Sequence, residues 1–268
     1  MSYKLILRIG TSICMLLLIT SCATFTSTTN NHPPIAFMSV KAMYASYLDE
    51  SFFIMNLPFT SDPSLEINDA TVTDVEFLPL TNVVDLQSFD ISASTTEPLD
   101  GRMHSSLHVH FEPDGVGTHT FTEVIFHTAE QQYRVPLGTA QVDIFDGDTA
   151  NVFVLPQSGG IFGQTVPLKV RLENVASQPV QLQEVYLDHP SITFEAEDTM
   201  VADDTDTYSL APDGFELMPG QKVTLWVDWE VTFPATGSVN MEIAPVLVVL
   251  ENGVETYAYL QNMAFRSE

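Results

Sequence analysis

From Ile35 onward, apolar residues recur at every second position in short runs bounded by Gly, Pro, Asn and Asp. Leu107, Val109 and Phe111 alternate with His108, His110 and Glu112. Leu168, Val170 and Leu172 alternate with Lys169, Arg171 and Glu173, and Val223, Leu225, Val227 and Trp229 with Thr224, Trp226, Asp228 and Glu230. A two-residue period turns one face to a core and the other to water, so these runs predict β-strands. The one helix-like window, Met38 to Asp49, reads equally as a strand followed by a loop. Apolar residues make up 45% of the 268, enough to build a core, so the expectation is an ordered all-β body.

The body also repeats itself. Asp69 to Leu78 lines up with Gln178 to Leu187, Ser105 to Pro113 with Val223 to Val231, and Ser51 to Phe59 with Thr165 to Asn174. A strand pair closes each half, Thr120 to Phe126 with Gln132 to Gly138 and Ser238 to Leu250 with Glu255 to Gln261, and the boundary falls near Asp146-Gly147-Asp148. Seven or so short strands in about 100 residues resemble the immunoglobulin-like sandwich. The phrases at Asn174 to Val185, Pro219 to Val227 and Pro234 to Gly237 resemble the Ig-like modules of bacterial envelope proteins. The resemblance implies two tandem Ig-like antiparallel β-sandwich domains, residues 35–147 and 148–268. It implies architecture and not activity. The Cys-Trp-Cys hallmark of antibody domains is absent. The repeat predicts that residues 150–268 fold alone with a cooperative melt.

The N-terminus reads as an export signal. Lys4 and Arg8 precede an apolar stretch from Ile9 to Ile19, which is too short for a spanning helix of about 20 residues. It ends Leu18-Ile19-Thr20-Ser21-Cys22, which resembles the bacterial lipobox. The resemblance implies residues 1–21 as a lipoprotein signal peptide, diacylglyceryl transfer to Cys22, cleavage before it, and acylation by a fatty acid such as palmitate. Cysteine usage agrees. Cys14 lies inside the discarded stretch, so the processed chain keeps only Cys22, and a lone N-terminal thiol in an exported chain suits a lipid anchor. Several acyl chains, at about 0.8 kcal/mol per buried CH₂, hold a protein on a membrane without a basic patch. Residues 22–34 are rich in Ser, Thr, Asn and Pro and read as a lipid-anchored flexible tether. Ala23 after Cys22 lacks the Asp that would favour inner-membrane retention, but the choice between membranes stays open.

Charge narrows the partners. The chain carries 35 acids against 9 bases, a net charge of −26, and only 16% charged residues against roughly 25% in an average domain. The scarcity of Lys and Arg excludes nucleic acid as a partner and removes the polybasic route to a membrane.

The side chains that could carry chemistry form three groups. His108 and His110 share one face of a strand at a spacing that can chelate Zn²⁺ or Cu²⁺, and His119 begins the next strand and could join them. The phrase from His108 to Gly115 resembles the His-x-His signature of copper–zinc superoxide dismutases, but the match departs before His108 and after Asp114. The repeat aligns His108 and His110 with Trp226 and Asp228, which reads instead as an outward sheet face. Asp143, Asp146 and Asp148 lie at the junction of the halves, where oxygens from both could gather around Ca²⁺. Asp203, Asp204 and Asp206 form a second acidic loop, and neither run has the EF-hand spacing. Tyr186, Trp226, Tyr257 and Tyr259 fall at strand positions that could face out to bind sugar or protein. No nucleophile elbow, H-E-x-x-H, phosphate-cradling Gly-rich loop or catalytic Cys occurs, so no enzymatic activity is expected.

The sequence thus points to an acidic, extracytoplasmic lipoprotein of the cell envelope, held to the membrane by lipid on Cys22. Its body is a non-catalytic binding or structural module with no cofactor, facing an envelope protein or glycan. Two alternatives stay open: a lipoprotein binding Zn, Cu or Ca through His108, His110 and His119 or through Asp143, Asp146 and Asp148, and a spacer subunit of an envelope assembly.

Overall fold

The computed structural model describes residues 32–156, 166–233 and 239–266. The lipobox, Cys22 and the tether up to residue 31 lie outside the described residues, as does the Pro234 to Gly237 phrase.

The body is all-β, and its two halves share a strand order. In the first half one sheet runs Ile35–Phe37, Phe53–Ser61, Met103–Pro113, Val84–Ala93. The corresponding sheet of the second half runs Val152–Pro156, Leu168–Asn174, Lys222–Val227, Thr199–Ala202, with Thr207–Ser209 added at its edge. The facing sheets match as well. Val72–Leu78, Gly117–Thr128, Gln132–Phe145 and Ser39–Tyr47 correspond to Val180–Tyr186, Val246–Glu251, Val254–Tyr259 and Asp148–Thr149. Each half thus packs two sheets face to face as a sandwich, and each has its own apolar core. Phe37, Phe59, Phe111 and Phe126 stand in the first core, and Leu172, Leu225, Trp229 and Phe265 in the second.

The phrase beginning at Asn174 has a structural cause. Asn174 is 1% exposed, and its Nδ2 donates to the carbonyls of Gln178 (2.9 Å) and Leu217 (2.8 Å) while its Oδ1 accepts from the N–H of Ala176. One side chain therefore satisfies three backbone groups, from two segments, where the strand ends.

The two sandwiches do not sit as separate beads. The expected closing strand from Ser238 to Leu250 is broken at Pro245 into Val239–Ala244 and Val246–Glu251, which belong to different sheets. Proline offers no N–H to continue a ladder, so the chain changes sheet there. Val239–Ala244 crosses to the first half and pairs in parallel with Ser39–Tyr47 over six positions, from Val239 opposite Ser39 to Ala244 opposite Tyr44. With Met263–Arg266 on its far side it completes a six-stranded sheet that runs through both halves. That sheet is mixed rather than purely antiparallel, because Ser39–Tyr47 also runs parallel to Gln132–Phe145.

Ser39–Tyr47 is consequently buried on both faces. Val40, Ala42 and Tyr44 enter the first core, while Met43, Ala45 and Tyr47 enter a third apolar cluster with Val246, Val248 and Tyr257 of the second half. Backbone crowding is severe here. At Gly138, paired with Val40, φ is +100° and a Cβ would lie 2.3 Å from the Val40 carbonyl oxygen, so only glycine fits.

Candidate functional site

The histidine pair lies on an outer sheet face. His108 and His110 are half-buried and alternate with buried Leu107, Val109 and Phe111. The Nε2 of His108 is 2.9 Å from Ser92 Oγ on the neighbouring strand, and the His110 ring lies 5.5 Å from that of Phe52. His119 does not join them, because the hairpin carries it to the opposite sheet. There its Nε2 is 2.9 Å from the Pro79 carbonyl oxygen, and its ring meets the core ring of Phe121 edge-on at 4.7 Å. Replacing His108 or His110 by Ser is expected to change stability by under about 0.5 kcal/mol, the range for substitutions outside the core. A urea titration reads this directly, and a loss of several kcal/mol would mean that the rings are structural.

The junction aspartates also separate. Asp143 is 4% exposed and is held by Gln141 Nε2 at 3.2 and 3.3 Å and by the Tyr186 hydroxyl, which donates to it at 3.2 Å. Asp146 and Asp148 lie exposed beyond the end of that strand. Among the described residues no group of three or more His, Cys, Asp or Glu side chains is placed to hold a metal. Neither the histidine set nor the aspartate set is assembled by the fold.

Three of the four aromatics expected to face out belong to the junction instead. Tyr257 is buried and stacks on Phe145 (5.1 Å) and Tyr47 (6.0 Å). Tyr186 meets Phe145 edge-on at 4.8 Å, and Tyr259 is half-buried against the same cluster. Gly147 explains why the acidic run contains a glycine, since a Cβ there would lie 2.3 Å from the Tyr257 ring. Only Trp226 remains half-exposed on an outer sheet face, between Lys169 and Met200 on its neighbouring strands.

Glu242 and Glu50 also flank this junction, and neither is legible from spacing. Glu242, on the crossing strand, is 4% exposed and lies beside Tyr44 and Tyr259. Burial, reinforced by Glu242, pushes the Tyr44 phenol well above its ordinary range. Burial, then Glu242 and Glu50, does the same to Tyr259. Burial, with Glu50 next to it, also raises Tyr47.

Beside this cluster the halves leave an open cleft of about 420 Å³. Glu50, Phe52, Phe53 and Ile54 line it from the first half, and Val154, Pro156, Tyr259, Leu260, Gln261 and Asn262 from the second. Asn262 ties the walls together. Its Nδ2 donates to the Ile54 carbonyl oxygen at 3.1 Å, and its Oδ1 accepts from the Tyr259 hydroxyl. Phe52 stands at the mouth, 48% exposed. Mostly apolar walls with a few convergent polar groups, at this volume, are the usual make-up of a small-ligand site. A second hollow of about 460 Å³ lies between the loops around Ser64–Thr73 and Thr128–Tyr133 of the first half, but its lining is largely exposed loop.

No family model matches the chain, and no curated protein matches it. Among solved structures it is similar to a protein of unknown function from Porphyromonas gingivalis (13% identical, covering 87% of this chain and 100% of that one, TM-score 0.26). It is also similar to cadherin-like domains 1 to 4 of zebrafish RET (8% identical, 87% of this chain and 51% of that one, TM-score 0.30). A third likeness is to the C-terminal domain of the Streptococcus pyogenes antigen I/II-family protein AspA (9% identical, 88% and 99%, TM-score 0.23). At these identities and scores the likenesses assign neither activity nor partner.

Proposed function

We propose that the chain is a lipid-anchored lipoprotein of the cell envelope whose paired sandwiches form a non-catalytic binding module. The observation that carries the anchor is the run from Lys4 to Cys22, a charged start, a short apolar stretch and Leu-Ile-Thr-Ser-Cys. A compact unit beginning at Pro34, a short tether after that Cys, agrees with it. No helix among the described residues is long and apolar enough to cross a membrane. The binding role rests on the mostly apolar cleft between the halves, which has a volume suited to a small ligand.

The anchor is tested by cell fractionation. Wild-type chain is expected in the membrane fraction at the processed mass, and Cys22→Ala is expected to stay unprocessed or to appear in the soluble fraction. Membrane retention of a processed Cys22→Ala chain would end the lipoprotein reading.

A further inference from the structure

We propose that the cleft between the halves takes an organic cation, an ammonium group carried on an apolar body. The inference rests on reading the body as a binding module and adds the chemistry of what that module holds. The apolar part has its surface in Phe52, Ile54, Val154 and Pro156. The polar end of the cleft is acidic. Glu50 lines it, and Glu242 lies behind Tyr259, close enough to Tyr259 for both carboxylates to act on its hydroxyl. No Lys, Arg or His stands among the lining residues, so no cationic side chain of the lining answers an anion. The chain as a whole carries −26, which raises the local concentration of cations and repels anions before contact. Phe52 and Tyr259, both among the lining residues, supply aromatic rings for a quaternary or protonated amine.

The test uses the full chain in a non-ionic detergent, with benzyltrimethylammonium as the probe and phenylacetate as its anionic counterpart. Isothermal titration calorimetry and saturation-transfer NMR read binding. The cation is expected to bind saturably, with a Kd of about 1 mM or below, and phenylacetate is expected not to bind. Glu50→Gln removes the charge without changing shape and is expected to weaken the cation about tenfold, equal to about 1.4 kcal/mol. Phe52→Ala changes an exposed ring, so the fold is retained, and it is expected to weaken binding several-fold. Absence of saturable binding, equal binding of phenylacetate, or unchanged affinity in both variants would each overturn the inference. Equal binding of phenylacetate removes the cation and leaves the binding module, whereas absence of binding by both probes removes both. Cation binding by a chain that fractionates independently of Cys22 removes only the anchor.

Discussion

Residues 148–268 produced without residues 34–147 are expected to lose cooperative melting, although a sandwich core of their own is present. Separation strips Val239–Ala244 of its parallel neighbour Ser39–Tyr47 along six positions. It also uncovers Val246, Val248 and Tyr257, which now close against Met43, Ala45 and Tyr47. Burying an apolar side chain of this size contributes about 1.5–3 kcal/mol, so three of them approach roughly 5–9 kcal/mol. That is comparable to the whole stability of a typical domain, about 5–15 kcal/mol. An exposed strand edge beside a new apolar face also invites association between chains. Differential scanning calorimetry of the whole chain is expected to show one transition, and the fragment a broad or absent one. A fragment that melts sharply near the temperature of the whole chain would show that the halves are energetically independent, as the sequence repeat by itself suggests.

Alkaline pH is expected to destabilise the protein steeply, and the junction tyrosines are the cause. Tyr44, Tyr47, Tyr186, Tyr257 and Tyr259 all have phenols pushed above the ordinary value of 10.0, each chiefly by burial. Tyr186 reaches about 12, with Asp143 adding to burial. A phenol that stays neutral in the fold but ionises near pH 10.0 in the unfolded chain gives the unfolded state the proton release. Stability is therefore intact below pH 10.0 and falls as pH rises toward the folded values. The slope is about 1.4 kcal/mol per pH unit for each fully buried tyrosine, which applies best to Tyr44 and Tyr259. Urea titrations above pH 10.0 are expected to show this loss, and Tyr44→Phe and Tyr259→Phe are each expected to flatten it. An unchanged slope in both variants would mean that the unfolding is driven by the net charge of −26 alone.

Much of the architecture is legible in the residue pattern. The strands around Leu107, Leu168 and Val223 follow from strict alternation, because each has one wet face and one dry face. The outward placement of His108 and His110 follows from the same parity. Ser39–Tyr47 is ambiguous for the opposite reason. Both its faces are buried, so no alternation survives to be read, and a helix-like window is what a doubly buried strand leaves in the sequence. The cleft is not legible in this way. Asn262 and Ile54, which tie its walls, lie 208 residues apart, and nothing in local spacing relates them.

The strand parities, the repeated strand order and the excess of acids are already present in the residue order. Those are set by local period, composition and short-range pattern, which do not depend on what packs against what. Tertiary packing sets the change of sheet at Pro245 and separates His119 from His108 and His110. It also turned three tyrosines inward and left a cleft beside Glu50. Those outcomes depend on which faces meet across the junction, and apolar burial there outweighs the preference of any single residue for water.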